Sequence, residues 1–252
     1  GRIYWLDPTN FVSMAQDIFP DIANRDALVL DAQSPSLEKT PSIDYRKTGL
    51  NSKRVIELMD NNTARIDSSV ALFGVDAMVY TGINLIKSQQ EIEDGFFFQI
   101  AGENLDLKNK ISIKLPNLLS RIVKDLQVNC EYHVPNYLTK TNLGLGIGVH
   151  QINLFDFPQD QVSDLYIGKP ITIKRTYILK NYRVPNIDRL NFNISSEWQN
   201  INTSWRYEGK DTKYEITEEI KKSIVLNEDL KRYKDFKDEI ESRLITFAII
   251  SN

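Results

Sequence analysis

Residues 190–207, LNFNISSEWQNINTSWRY, carry the clearest structural pattern in the chain. Apolar and polar side chains alternate from Leu190 to Trp198 and again from Ile201 to Tyr207, with a Gln-Asn pair between the two runs. A period of two is typical of β-strands that bury one face. We therefore predict an antiparallel hairpin with an aromatic face and a two-residue turn.

Further elements follow from the same kind of pattern. Alternating or continuous apolar runs indicate strands, whereas capping residues followed by apolar side chains at helical spacing indicate helices. The predicted strands are 96–100 and 105–114, which form a hairpin, then 128–134, 143–149, 171–177 and 245–250; the predicted helices are 11–18, 52–59, 70–86, 118–126 and one from Asn227 to Leu244.

Together these elements predict an α+β fold with a large, mostly antiparallel β-sheet, several short helices and a C-terminal helix and strand. Residues 1–50 contain four prolines and no sustained period, which indicates an extended N-terminal arm. Trp5, Phe11 and Phe19 make this arm too apolar for a solvated tail, so we expect them to be assembly contacts, either on the chain's own core or on a neighbouring subunit. The α+β domain then covers 51–252, with a helical part (51–94), a β-rich part (95–208) and a final helix plus strand (209–252).

Residues 143–149, LGLGIGV, alternate aliphatic residues with Gly144, Gly146 and Gly148. As a strand, this segment presents branched side chains on one face and none on the other. Glycine inside a strand weakens it and often marks a close approach by another backbone. We therefore expect close packing against the bare face. A dinucleotide-binding loop is not indicated, because strand-like residues follow where such a loop needs a helix.

The composition bounds the class of protein. The chain has 252 residues, of which 41% are hydrophobic and 26% charged, and no apolar run long enough to cross a bilayer. We expect a soluble protein with a substantial core and no membrane contact. The single cysteine, Cys130, allows no internal disulfide. This favours a cytoplasmic or particle-associated location over secretion with disulfide formation.

Few residues can support nucleophilic or zinc chemistry. The chain has only two histidines, His133 and His150, besides Cys130. In a strand, Cys130 and His133 point to opposite faces because their spacing is odd, so they cannot share a zinc ion or form a catalytic pair. No Gly-x-Ser-x-Gly or phosphate-binding Gly-x-x-x-x-Gly-Lys motif occurs. We predict no cofactor, no metal site and no catalytic residue of these kinds.

One weaker catalytic hypothesis remains. Asp94, Asp106 and Lys108 offer two carboxylates and a lysine, the groups that metal-dependent phosphodiester cleavage needs. The spacing is common in any acidic hairpin, and charged residues on the polar face of a strand are usually solvated.

Charge is unevenly distributed, although the net charge is only −3. Residues 108–140 hold six basic and two acidic side chains, residues 169–189 hold six and one, and residues 56–107 hold two and nine. Basic strands with interleaved tyrosines can bind a phosphate backbone and its bases, but they can equally meet acidic protein surface. The candidate nucleic-acid contacts are Lys174, Arg175, Tyr177, Lys180, Tyr182 and Arg183.

These features favour a structural or assembly protein of a multi-subunit particle, such as a phage or viral component, over an enzyme. It would act through protein–protein contacts, as a homo- or hetero-oligomer. The alternatives are a nucleic-acid-binding protein that uses the two basic segments, and, behind it, a metal-dependent nuclease.

Overall fold

The computed structural model describes residues 5, 18–30, 34–102, 105–118, 122–149, 152, 154, 158, 161–245 and 247–250. It confirms the α+β prediction: a large sheet is accompanied by short helices, and the last two described elements are a helix and a strand. In chain order the elements are β1 (Asp26–Val29), β2 (Ser36–Lys39), β3 (Gly49–Met59), β4 (Thr63–Phe73), α1 (Val75–Ile83), α2 (Gln89–Ala101), β5 (Lys110–Lys114), β6 (Asp125–Pro135), β7 (Thr139–Thr141), β8 (Gly144–Gly148), β9 (Leu165–Tyr166), β10 (Ile171–Leu179), β11 (Phe192–Ser195), β12 (Gln199–Glu208), β13 (Asp211–Ile220), β14 (Ile224–Val225), α3 (Leu230–Arg243) and β15 (Phe247–Ile249). Short 3-10 helices lie at Tyr45–Lys47, Asp60–Asn62, Leu107–Asn109, Ile187–Leu190 and Asn227–Asp229.

The large sheet has eight strands in the order β11-β12-β13-β10-β3-β4-β6-β5. Every neighbouring pair is antiparallel except β10 and β3, which run parallel. Three smaller sheets pair β1 with β2, β9 with β14, and β8 with both β7 and β15.

The two faces of the large sheet differ in burial. On β4 every second residue from Ala64 to Leu72 is buried, whereas the residues between them are partly or fully exposed. Helix α2 packs on the buried side, where Phe97 contacts Tyr132 of β6 edge to face with ring centroids 6.1 Å apart. Helix α3 packs on the same side, because Tyr233 donates a hydrogen bond to Gln199 of β12. We call this side the covered face and the opposite, polar side the open face.

The hairpin predicted from residues 190–207 forms as β11 and β12. The predicted two-residue turn at Gln199-Asn200 is wrong. Ser195 pairs with Asn200, so residues 196–199 connect the strands, and the Ser196 hydroxyl accepts hydrogen bonds from the backbone N–H groups of Trp198 and Gln199. The strands predicted near 128–134, 143–149, 171–177 and 245–250 are also present. The helix predicted from Asn227 begins with a 3-10 turn and continues as α3.

Several predicted elements are wrong. The helix predicted at 52–59 is part of strand β3, and the helix at 70–86 combines the end of β4 with α1. Strands β3 and β4 pair with each other over their full length inside the large sheet. Packing in the sheet therefore overrides the local helical spacing of their apolar residues. The described residues of 118–126 form no helix, and β6 begins at Asp125.

The strand predicted at 96–100 is also wrong, because these residues belong to helix α2. Ser88 and Glu91 form a capping box at its start, in which each side chain bonds the other residue's backbone N–H. Ile92, Phe96, Phe97 and Ile100 then lie on one buried side of the helix. The predicted hairpin with 105–114 is therefore replaced by a helix followed by β5.

Candidate functional site

The glycine strand is β8, the middle strand of the three-stranded sheet. A Cβ atom at Gly146 would lie 3.4 Å from Cβ of Phe247 and 3.5 Å from Cγ2 of Thr141, both on the flanking strands, and one at Gly148 would meet no atom within 4 Å. For Gly144 the nearest contact would be Cγ2 of Ile249, at 3.6 Å. These are ordinary contact distances. A Cβ at Gly146 would also lie 3.5 Å from the backbone oxygen of Ala248, so the flanking strands β7 and β15 pack against this strand at ordinary contact distances, and closer packing by another element stays a prediction.

The arm aromatics have different surroundings. Phe19 is buried against Met78 of α1, with Ile22 and Val79 packed around the pair. Trp5 is half-buried, and Phe11 lies outside the described residues. Phe19 therefore contacts the chain's own core, which is the first of the two placements expected for the arm aromatics.

The six candidate nucleic-acid contacts are not brought together on one surface. Arg175 and Tyr177 are on the covered face, Lys174 is on the open face, and Lys180, Tyr182 and Arg183 follow the end of β10.

Most of these cations are paired within the chain. Lys174 lies 3.7 Å from a carboxylate oxygen of Glu215, and Lys180 lies 2.7 Å from one of Asp211. Arg183 stacks on Tyr207 with its Cζ 4.4 Å from the ring centroid. The basic segment of β10 thus meets the acidic residues of β13, its neighbour in the sheet.

The residues of the nuclease hypothesis are also separately engaged. Asp94 lies on helix α2 and accepts a 2.6 Å bond from Lys110, which, together with Gln90, holds its pKa below the usual value. Asp106 caps a 3-10 helix. Its carboxylate accepts hydrogen bonds from the backbone N–H and the ammonium group of Lys108, and these contacts lower the pKa of Asp106. No group of three His, Cys, Asp or Glu residues in the described part of the chain is placed to hold a metal ion.

Cys130 and His133 lie on opposite faces of β6, as their spacing predicted: Cys130 is buried on the covered face, and burial raises the pKa of its thiol to about 11. His150 lies outside the described residues.

A cavity that we did not predict lies between helix α2 and the covered face. It has a volume of about 280 Å³. Strands β3, β4 and β10 form its floor, and residues of α1 and α2 form its walls. Gln99, which is exposed, marks the side on which the cavity reaches solvent. We refer to it as the α2 cavity.

Arg54 is the central polar group of the α2 cavity. Its Nη2 atom donates a 2.6 Å hydrogen bond to the carbonyl oxygen of Ile100 at the end of α2. Its Cζ lies 5.9 Å from the ring centroid of Tyr177, the residue paired with it on β10. Its Nε atom is shielded from solvent and has no hydrogen-bond partner. Within the described residues, Arg54 is in no ion pair.

Arg175 and Tyr80 also line the α2 cavity. Arg175 is neutralised by Glu218 of β13, whose carboxylate lies 2.5 Å from the guanidinium and is largely buried. Burial raises the pKa of Tyr80 to about 12, so its phenol is neutral and can donate a hydrogen bond at neutral pH. Ser52, between Leu50 and Arg54 on the same face of β3, adds a hydroxyl.

The sequence contained part of the signal for this cavity. Leu50, Ser52, Arg54 and Ile56 alternate with more exposed residues, but the neighbouring apolar residues imitate helical spacing. Arg175 was singled out for its charge alone. Its pairing with Glu218 depends on the neighbouring positions of β10 and β13, which sequence reasoning did not supply.

A second unassigned feature is the hairpin of β1 and β2. Leu28 and Leu37 are directly paired across it and are 61% and 75% exposed, and Leu30 follows at 82%. Asp26 and Lys39 form the pair at its base, with 3.1 Å between charged atoms. We refer to these five residues as the hairpin face.

Thr40 connects this hairpin to the preceding turn. Its hydroxyl donates a 2.5 Å hydrogen bond to the carbonyl oxygen of Ile22 and accepts one from the N–H of Arg25. No apolar residue of β1 or β2 belongs to the hydrophobic core of the described chain. The hairpin is therefore held at its base, with its leucines outward.

None of the described helices is both long enough and apolar enough to cross a bilayer. Comparison of the chain with protein-family models, with curated proteins and with solved structures gave no match.

Proposed function

We propose that this protein is a structural or assembly component that acts through protein–protein contacts, and that the hairpin face is its contact surface. The observation that carries this proposal is the exposed leucine pair of β1 and β2. Exposed large apolar side chains that lie next to one another mark interaction sites more often than isolated ones do. A two-stranded hairpin is also marginally stable in water by itself, so a partner would stabilise it.

The occupant that best fits the hairpin face is a second copy of this chain. The face carries one acidic and one basic residue, Asp26 and Lys39, beside the leucines. Because Asp26 and Lys39 pair within each copy, the face carries no net charge. In a two-fold contact the same patch of each subunit meets the other, so the leucines of two copies can pack together without charge repulsion. Three leucines bury less than the roughly 1,200 Å² of a standard interface. We therefore expect a weak, concentration-dependent association at this surface.

The charge arrangement supports assembly over nucleic-acid binding. Lys174 and Lys180 already have carboxylate partners on β13, and Arg175 is paired with Glu218. A phosphate backbone would have to compete with these carboxylates for the same cations. The basic segments therefore give less support to nucleic-acid binding than their charge suggests. The exposed leucines of the hairpin face have no partner of this kind among the described residues.

Sedimentation velocity over a concentration series tests the proposal. The parent chain should show a sedimentation coefficient that rises with concentration. Leu28→Ser combined with Leu37→Ser should abolish the rise while leaving the unfolding midpoint nearly unchanged, because neither side chain is packed in the core. A control is Ile86→Ser with Leu143→Ser, since these apolar residues lie outside the hairpin and are more exposed than Leu28 and Leu37.

A parent chain that remains monomeric at all concentrations would contradict self-association. Loss of association in the control variant as well would show that general surface hydrophobicity, and not the hairpin face, is responsible. Salt-dependent binding of single-stranded DNA at about 50 mM salt, lost when Lys174 and Lys180 become glutamine, would instead favour the nucleic-acid alternative.

A further inference from the structure

The α2 cavity combines an apolar lining with a small polar cluster. Leu50, Val70, Leu72 and Phe96 supply most of the apolar surface. Binding sites for small molecules are typically concave and apolar, with a few convergent polar groups that fix orientation. This inference is independent of the assembly proposal, because the cavity and the hairpin face share no residue.

The polar cluster follows from the register of the sheet. Arg54 of β3 is paired with Tyr177 of β10 on one side and with Ser68 of β4 on the other. Two residues along, Ser52 is paired with Arg175. Side chains two apart on a strand point to the same face, so all five lie together on the covered face.

The charges of this cluster do not balance among the described residues. Arg175 and Glu218 neutralise each other, which leaves the positive charge of Arg54. A partly buried charge is costly unless it is paired, and one monoanion would balance this one.

The hydrogen bonding of Arg54 indicates the shape of that anion. One Nη2 bond to the Ile100 carbonyl and the contact with Tyr177 hold the guanidinium in place. Its Nε lacks an acceptor but is shielded from solvent, so a ligand in the cavity would bind the outer edge of the fork, which the two Nη atoms form. Arginine binds carboxylates with two parallel N–H···O bonds from its planar fork, which suits a carboxylate better than a spherical ion.

We propose that the α2 cavity binds a small monocarboxylate with an apolar body. The carboxylate would accept hydrogen bonds from Arg54, with the Ser52 hydroxyl and the neutral Tyr80 phenol available as further donors. The apolar body would lie against Leu72 and Phe96.

Isothermal titration calorimetry with sodium hexanoate tests this proposal, with hexanamide as the uncharged analogue and inorganic phosphate as a different anion. Hexanoate should bind at one site per chain and raise the unfolding midpoint. Hexanamide should bind at least tenfold more weakly, because it cannot pair with the guanidinium charge. Phosphate should not bind measurably, since the cavity has a single unbalanced cation and an apolar lining.

Three variants locate the site. Arg54→Met should abolish hexanoate binding, and Arg54→Lys should weaken it about tenfold because the bidentate fork is lost. Arg65→Met is the matched control: Arg65 lies on the open face, paired with Glu131, and its replacement should leave hexanoate binding unchanged. Each variant is first checked for a native circular dichroism spectrum.

The unfolding midpoint provides a second readout. Arg54→Met removes the unbalanced charge together with the hydrogen bond to Ile100, so the readout is the shift on adding ligand: hexanoate should raise the unfolding midpoint of the parent and leave that of Arg54→Met unchanged. The proposal is overturned if hexanoate does not bind the parent, if hexanamide binds equally well, or if Arg65→Met loses binding as Arg54→Met does.

Discussion

Arg54 and Ser68 lie directly opposite each other on β3 and β4, and each carries a polar atom that is shielded from solvent and has no hydrogen-bond partner. Both side chains are on the covered face: Ser68 lies between Ile66 and Val70 on β4, and Arg54 lies between Ser52 and Ile56 on β3. Unsatisfied polar groups in such surroundings cost stability. Arg54 also lines the α2 cavity, and this combination of an unsatisfied polar group with a cavity is the observation on which we base the proposed binding there.

The first prediction concerns the Ser68 hydroxyl. Ser68→Ala should raise the free energy of unfolding by about 1 kcal/mol, because it removes a buried hydroxyl that has no partner. Thr203→Val is the matched control, since the buried Thr203 hydroxyl donates to the Leu190 carbonyl and accepts from the Phe192 N–H. This control should lower stability by about 1 kcal/mol. Urea denaturation measures both, and a loss of stability in Ser68→Ala would contradict the assignment of an unpaired hydroxyl.

The second prediction concerns the ion pair of Arg175 and Glu218. Arg175→Met should lower the free energy of unfolding by about 3 kcal/mol, because it leaves a largely buried carboxylate without its partner. Adding Glu218→Leu should recover most of that loss, since two apolar residues replace the pair. Chemical denaturation of the two variants provides the comparison. A double variant no more stable than the single one would show that the carboxylate has other essential contacts.

The third prediction separates two glycines of β8. Gly148→Val should stabilise the fold by up to about 1 kcal/mol, because a Cβ there meets no neighbour and valine favours a strand. Gly146→Val should destabilise it by roughly 1 kcal/mol, because its methyl groups would crowd Phe247 and Thr141 on the flanking strands. Thermal unfolding distinguishes the two. Equal changes of the unfolding temperature, in the same direction, would show that Gly146 and Gly148 are packed alike.

The fourth prediction concerns acid stability. The bonds from Lys110 and Gln90 hold the pKa of Asp94 below its ordinary value of 3.8 in the folded state. The ionised carboxylate therefore stabilises the fold above that pH, and the stabilisation is lost as the pH falls through the lower folded-state pKa. Asp94→Asn should be less stable than the parent at pH 7, and the difference should vanish toward pH 2.

The exposed Asp60, which has no ion pair within the described chain, supplies the control for this measurement. Asp60→Asn should show little difference from the parent at either pH. If Asp94→Asn is still less stable than the parent at pH 2, then the packing of the Asp94 side chain, and not its charge, stabilises helix α2.

Much of the sheet was predictable because a half-buried strand leaves a period-two record in the sequence. Strands β6, β11 and β12 bury alternate residues over most of their length and were found, and β10 was found from its β-branched and aromatic residues although its burial does not alternate. Strand β3 was not, because Val55, next to the buried Ile56, lies on the open face and hides the alternation. Helix α2 was missed although its Ser88 and Glu91 capping box could be read from the sequence, because three consecutive phenylalanines imitate a buried strand.

The sites were less predictable than the strands. The charge of β10 was visible, but its neutralisation requires β13 beside it in register, and that strand was not predicted. The α2 cavity joins residues from five elements, so no local motif marks it. The leucines of the hairpin face were seen only as part of an apolar arm, since their exposure depends on how the arm folds back on itself.

The most direct test of the assembly account is chemical cross-linking between hairpin faces. The only native thiol, Cys130, is buried with its pKa raised to about 11, so a Leu37→Cys variant offers one reactive cysteine. Packed sheet faces lie about 10 Å apart, a distance that a short bismaleimide spans. Val162→Cys, at 82% exposure outside the hairpin, is the control.

The account predicts that Leu37→Cys gives covalent dimers rapidly at concentrations where Val162→Cys gives few, and that adding Leu28→Ser reduces their yield. Equal yields from the two cysteine positions, or no dimers from Leu37→Cys at any concentration, would contradict it.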